Sequence, residues 1–191
     1  MELIAQGAEA KIYFNASSSI ILKVRESKNY RLKELDDELI SYRTRREAKI
    51  MNKLKNIAPK VFKTTNNTIE MEFIKGTLVK EILDEKPILA KQIANSVSIM
   101  HDKNIVHGDL TTGNMMYVDS IKIIDFGLAK VSTKQEDKAV DLHLFHQSLE
   151  SKHFKVKNKV WEEFLKHYSV VDKEEVLKRL EKVQLRGKNK K

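Results

Sequence analysis

Strands crowd the first part of this chain and helices fill the rest, which predicts an α+β fold in two lobes that share a cleft. Three observations carry the prediction. Short β-type runs reach as far as Ile74, interrupted by one long helical stretch. Everything after Gly76 is dominated by amphipathic helical patterns. The chain has 191 residues with only 2 prolines and 6 glycines, enough for two small lobes and too few breakers for long linkers.

Glu2 to Gln6 and Lys11 to Asn15 read as strands flanking the small-residue turn Gly7-Ala8-Glu9-Ala10. Ser17-Ser18-Ser19 turns into a third strand, Ile20 to Arg25. Helical spacing runs from Arg31 to Leu54 through Leu32, Leu35, Leu39, Ile40, Ala48, Ile50 and Met51. The charged run Arg43 to Glu47 interrupts that face, so the stretch reads as two helices or one kinked helix, stopped by Pro59. Val61 to Thr65 and Thr68 to Ile74 form a hairpin across Asn66-Asn67. Further on, Thr77 to Asp84 and Ile88 to Lys103 are amphipathic helices, and Asn104 to Leu110 is a loop. Met115 to Val118 pairs with Ile121 to Ile124. Helices are expected near Asp137 to Leu149, Val160 to Tyr168 and Lys173 to Leu185. The resulting domain expectation is an N-lobe over 1–74, a C-lobe over 75–185 and a basic tail over 186–191, disordered until bound.

Composition narrows the function classes. The formal charge is +9, which favours polyanionic partners. There are no cysteines, which excludes disulfides and Cys-ligated metals and fits a reducing cytoplasm. No apolar run approaches the roughly 20 residues that span a bilayer. The opening residues lack a signal peptide's basic segment and apolar core, so a cytoplasmic chain with no membrane partner is expected.

The chemistry sits in His107-Gly108-Asp109-Leu110-Thr111-Thr112-Gly113-Asn114 and Asp125-Phe126-Gly127. Asp109 precedes Asn114 by five positions, and Asp125 follows 11 later. This is the spacing of a kinase-type phosphoryl-transfer centre. Asp109 takes the catalytic base position; Asn114 and Asp125 supply the hard oxygens that hold Mg²⁺ against ATP. Lys23, on an apolar strand, suits the α- and β-phosphates. Glu47 is the preferred carboxylate to orient it, over Glu34, Asp36, Asp37 and Glu38, because Ala48, Ile50 and Met51 mark where the helix becomes apolar again. Gly7, Ala8, Glu9 and Ala10 form a reduced phosphate-covering turn, in which small residues admit a phosphate to the backbone. Glu9 is out of place beside a polyanion; it either points away or orients a cation such as Lys23. His107 and His101 read as structural residues. His143, His146, His153 and His167 show no metal-ligand spacing.

These motifs resemble a known family. Met100 to Leu110 is similar to protein kinases. Gly7-Ala8-Glu9-Ala10, Tyr30-Arg31 with Leu35-Asp36, Arg43 to Ala48, and Glu136 to Leu142 narrow the likeness. Together with His-Gly-Asp-Leu-Thr-Thr-Gly-Asn they resemble the Bud-type small kinase of the KEOPS (EKC) complex, called PRPK in animals, and the short single chain looks archaeal. The resemblance implies a minimal two-lobed, RIO-like kinase fold. It implies an ATPase and atypical Ser/Thr kinase using ATP and Mg²⁺. Implied partners are the Kae/TsaD-type subunit that transfers threonylcarbamoyl to a tRNA adenosine, a Cgi-type subunit, and tRNA within the complex. It also implies that Glu72 and Ile74 form a hinge whose backbone meets adenine, and that Asp141 braces the catalytic loop. Gly108 departs from the ordinary kinase pattern, which has Arg there to read a phosphorylated activation loop; control by a docked partner is the expectation instead.

Three rival functions stay in view. A conventional protein kinase is disfavoured by the short stretch between Gly127 and Glu136, which leaves little peptide platform. A small-molecule phosphotransferase usually needs a larger helical insert than this chain can spare. A nonenzymatic scaffold does not require Lys23, Asp109, Asn114 and Asp125. The basic end, Arg186, Lys188, Lys190 and Lys191, reads either as a solubilising terminus or as a contact for tRNA or a partner.

Overall fold

A computed structural model describes residues 1–7, 9–28 and 32–188. The chain divides into two compact units, Met1–Lys75 and Gly76–Lys191. Ala8, Tyr30, Arg31 and the last three residues of the basic end, all singled out above, lie outside the described residues.

The first unit is an antiparallel sheet with one helix against it. Strands β1 (Glu2–Gln6), β2 (Ala10–Asn15) and β3 (Ile20–Arg25) are followed by α1 (Lys33–Lys53), β4 (Val61–Thr64) and β5 (Thr68–Glu72). The sheet order is β1-β2-β3-β5-β4. Alternation along β3 buries Ile21, Lys23 and Arg25 on one face, so a single strand delivers two cations to the interior. The β4–β5 turn closes through Thr65 N–H to the Thr68 carbonyl, 2.9 Å.

Helix α1 is one continuous helix of 21 residues, not two. The charged run does not break it because the buried stripe passes straight through. Asp36, Ile40, Thr44, Glu47, Ala48 and Met51 are all buried at steps of three or four. Thr44 returns its hydroxyl to the Ile40 carbonyl at 2.8 Å, and Asp36 accepts the Lys28 N–H at 2.7 Å. Glu34 and Asp36 in the first turn and Lys53 in the last follow the helix dipole.

The second unit contains β6 (Thr77–Leu78), α2 (Val79–Ile82), α3 (Leu89–Asp102), β7 (Ile105–Val106), β8 (Met115–Tyr117), β9 (Ile121–Ile123), β10 (Lys130–Val131), α4 (Gln135–Lys152), α5 (Lys157–His167) and α6 (Lys173–Lys188). Strands order as β6-β8-β9 and β10-β7. Two expectations are corrected here. Thr77 and Leu78 are strand rather than helix because they pair with Tyr117 and Met116. The expected loop at 104–110 contains β7, which pairs with β10.

The core of this unit gathers Val79, Leu83, Ile93, Val97, Met100, Leu110, Phe126, Leu142, Phe145, Phe164 and Tyr168, each fully buried. Each such side chain contributes about 1.5–3 kcal/mol on leaving water. Phe145 packs tilted on Phe164, which stacks on Tyr168, with ring centroids 4.8 and 5.8 Å apart. Lys138, buried, ties α4 to the start of α6 through both oxygens of Asp172, at 2.8 and 3.0 Å. The α6 backbone continues to Lys188, into the segment expected to be disordered, and Arg186 bonds Glu136 at 2.6 Å. Among the described residues no helix is long and apolar enough to cross a membrane.

Candidate active site

The first unit assembles a chain of alternating charges. Lys23 Nζ lies 2.7 Å from Glu47 Oε1, and Arg25 donates to the other oxygen, Oε2, at 2.6 Å. All three side chains are buried. Glu47 is therefore the carboxylate that meets Lys23, while Asp36 is spent on the Lys28 amide. Arg25 also reaches Glu9 Oε2 at 3.2 Å, and Arg43 bonds Glu9 Oε1. Of the two expectations for Glu9, the one in which it orients a cation fits, and the cations it meets are Arg25 and Arg43. Gly7 and Ala10 close the turn through Gly7 N–H to the Ala10 carbonyl, 3.0 Å. Glu72 ends β5, with its N–H on the Lys60 carbonyl at 2.8 Å and its carboxylate on the Lys60 N–H at 3.1 Å; Ile74 is buried just beyond.

In the second unit, the loop from His107 to Asn114 is held from beneath. Asp141, buried on α4, accepts from the His107 N–H, from the Gly108 N–H at 2.8 Å and from His101 Nε2 at 3.3 Å. A carboxylate with three donors is firmly fixed. His101 is fully buried; with Nε2–H on Asp141, its Nδ1 accepts the Tyr168 hydroxyl at 2.8 Å. His107 donates from Nε2 to the Ile124 carbonyl at 3.0 Å, so its Nδ1 receives the Asp109 N–H at 3.3 Å. Both imidazoles thus serve as struts for the loop.

Asp109 is exposed, while Leu110 beside it is fully buried and anchors the loop. Asn114 donates its amide to the Asp109 carbonyl at 2.9 Å and to Asp109 Oδ2 at 2.8 Å. Because the carboxylate only accepts, the NH₂ of Asn114 must face it, which leaves the amide oxygen for a cation. Ile124 joins this loop to the next turn: its N–H bonds the Asn114 carbonyl at 2.9 Å and its own carbonyl holds His107. The following residue, Asp125, has φ 60°, an uncommon conformation for a non-glycine that costs about 1–3 kcal/mol. Phe126 is fully buried against the His107 ring, 5.1 Å between centroids, and pins the turn. Asp109 and Asn114 therefore meet directly, and Asp125 is tied to them through Ile124.

Gly108 has φ +80°, and a Cβ there would stand 2.9 Å from the Leu128 carbonyl oxygen. The residue that replaces the usual Arg is thus required by the backbone. Gly108→Ala is expected to lower stability by about 1–3 kcal/mol, read as the urea midpoint; an unchanged midpoint would contradict this account of the loop.

Tyr168 gives a pH prediction. Burial pushes its phenol well above the usual tyrosine range, with Asp172, Asp102 and Asp141 adding to the shift. A raised folded-state value leaves its contribution complete below the unfolded value of about 10 and lost as pH rises above it. Urea midpoints measured from pH 9 to 11 should fall more steeply in the wild type than in Tyr168→Phe.

Sequence reasoning missed two groups. Arg25, two residues after Lys23, shares its strand face, a period-two signal that was legible. A second brace joins Thr112, His153 and Asp84: Thr112 Oγ1 is 3.1 Å from His153 Nε2, and His153 Nδ1 is 2.6 Å from Asp84 Oδ1. These three are far apart in sequence and carry no local signal.

Comparisons with known proteins bear on the family and the fold. The RIO domain family matches residues 10–143. The EKC/KEOPS complex subunit BUD32 of Enterocytozoon bieneusi is 44% identical, over 98% of this chain and 98% of that protein. A probable bifunctional tRNA threonylcarbamoyladenosine biosynthesis protein of Methanocaldococcus jannaschii is 37% identical, over 94% of this chain and 35% of that longer protein. The Rio2 kinase of Chaetomium thermophilum, solved as an ADP/Mg²⁺–phosphoaspartate complex, superposes with TM-score 0.65 at 13% identity, over 100% of this chain and 72% of that one. The fold is the α+β, RIO-like kinase fold.

Proposed function

The chain belongs to the Bud32 family of KEOPS subunits, and on that premise we propose that it is a Mg-ATP-dependent phosphohydrolase and atypical serine/threonine kinase. Its activity supports threonylcarbamoyl modification of a tRNA adenosine by a Kae/TsaD-type subunit, in a complex that also holds a Cgi-type subunit.

The observation that carries this reading is the Asp109–Asn114 contact. Asn114 occupies Oδ2 of Asp109 and fixes the carboxylate. The second oxygen, Oδ1, is then the atom that holds the nucleophile and takes its proton, whether that nucleophile is water or a protein hydroxyl. Lys23, oriented by Glu47, neutralises the α- and β-phosphates, and the turn from Gly7 to Ala10 offers them backbone N–H groups. The backbone at Glu72 and Ile74 meets adenine.

The donor chemistry fits magnesium. The amide oxygen of Asn114 and the exposed carboxylate of Asp125 are hard oxygen donors, few in number, as suits an ion that keeps waters and shares ligands with phosphates. When bound, the ion would neutralise charge developing on the phosphoryl oxygens. The relatives' names support the complex and the tRNA product, and the Rio2 neighbour supports the nucleotide and the metal. Gly108 supports control by a docked partner, since no Arg is present there to read a phosphorylated segment.

The test is reconstitution with the transferase subunit, the Cgi-type subunit, tRNA, threonylcarbamoyl-adenylate and ATP. Wild type should sustain repeated tRNA modification and Asp125→Asn should not. Equal modification by both would overturn the role of hydrolysis.

A further inference from the structure

Glu9 poses an electrostatic problem that the assigned chemistry leaves unsolved: a carboxylate in a turn that covers phosphates repels its own ligand. The structure resolves it through the charge chain Lys23–Glu47–Arg25–Glu9–Arg43. We propose that Glu9 is a latch. Its carboxylate, held by Arg25 and Arg43, fastens the turn between β1 and β2 to strand β3 and helix α1, and so fixes the backbone that receives the nucleotide phosphates. The proposal rests on the ATP-binding role assigned above.

Three features support the latch over a casual surface pair. First, the two oxygens of Glu9 are used by different elements: Oε2 by Arg25 of β3 at 3.2 Å, Oε1 by Arg43 of α1. A carboxylate bridged in this way fixes a turn in two directions, which an exposed single pair does not. Second, Arg25 is only 4% exposed and its guanidinium spans two carboxylates, Glu9 through one terminal nitrogen and Glu47 through the other. That fork suits arginine, whose planar, fixed donors reach two carboxylates in a set geometry that a lysine ammonium does not impose. Third, the same Glu47 holds Lys23 at 2.7 Å. The turn is therefore wired to the phosphate-holding lysine through two shared groups. The five side chains carry three positive and two negative charges, so the cluster keeps one net positive charge while the negative charge of Glu9 is neutralised. Glu9 is a positioning residue here: it acts through the turn and not on the phosphates.

The test uses Glu9 and Arg43, whose side chains are 43% and 30% exposed, so their variants should fold. Glu9→Gln, Arg43→Gln and the double variant are compared in the full chain. Two readouts are taken: amide hydrogen exchange of the segment around residues 7–10 without nucleotide, and the KM and kcat for MgATP. Each single variant should speed exchange about fivefold and raise KM about five- to tenfold, with a smaller effect on kcat. The double variant should be no worse than the worse single one, because both remove one latch. Unchanged exchange, an unchanged KM, or additive effects would overturn the latch while leaving the ATP reading intact. A wild type that does not bind MgATP would overturn the ATP reading, and the role of the turn with it.

Discussion

Asp109→Asn should lower the rate of MgATP hydrolysis by about 10²–10³-fold and leave the fold unchanged. The fold is spared because Asp109 is exposed and its neighbours do the anchoring. Leu110 is buried, and Asp141 holds the His107 and Gly108 amides. Asparagine has the same shape and still offers a carbonyl oxygen to the Asn114 amide, so the loop geometry survives. What is lost is basicity: an amide cannot take a proton from water or a hydroxyl. Nucleotide affinity should stay within a few-fold, since Lys23, Glu47 and Asp125 are untouched. Phosphate release under saturating MgATP measures the effect, and a rate within threefold of wild type would remove Asp109 from the base role.

Glu47→Ala should be the most destabilising single change in the first unit. The Glu47 side chain is 2% exposed and lies between Lys23, 7% exposed, and Arg25, 4% exposed. Removing it leaves two buried cations facing a space that held their shared anion. Breaking a buried ion pair from one side costs about 3–5 kcal/mol, because the stranded charge keeps its desolvation penalty. Against a typical total of about 5–15 kcal/mol, that is a large share. The isosteric Glu47→Gln keeps the packing and one hydrogen-bond acceptor, so it should fold better than alanine while still failing to orient Lys23. Urea denaturation of the two variants measures the first effect and MgATP titration the second. A Glu47→Ala midpoint equal to wild type would mean that the buried charge chain contributes nothing to stability.

Much of the fold was legible because local pattern and final structure agree. The strands at Glu2–Gln6 and Ile20–Arg25, the β4–β5 hairpin, the β8–β9 pair and the helices α3 to α6 each carry their own periodicity or turn signal. The failures have a shared cause. Helix α1 looked broken at Arg43 to Glu47 because its buried face there is polar: Thr44 and Glu47 are interior residues, and an apolar pattern cannot reveal them. Strands β6, β7 and β10 are two residues each and exist only through pairing with distant partners. The candidate site divides in the same way. Asp109, Asn114 and Asp125 announce themselves by spacing, and Asp141 follows from the family likeness. The ties of Glu9 to Arg25 and Arg43, and the Asp84–His153–Thr112 brace, depend on segments that only the folded chain brings together.

The most direct measurement of the central claim is phosphate release from MgATP by the purified chain, alone and with the transferase subunit and tRNA, beside Asp125→Asn as the control. Release should need Mg²⁺, rise when the partner is added, and fall at least about 100-fold in Asp125→Asn. Release that persists in Asp125→Asn, or that is indifferent to both Mg²⁺ and partner, would contradict a partner-controlled, magnesium-dependent phosphohydrolase.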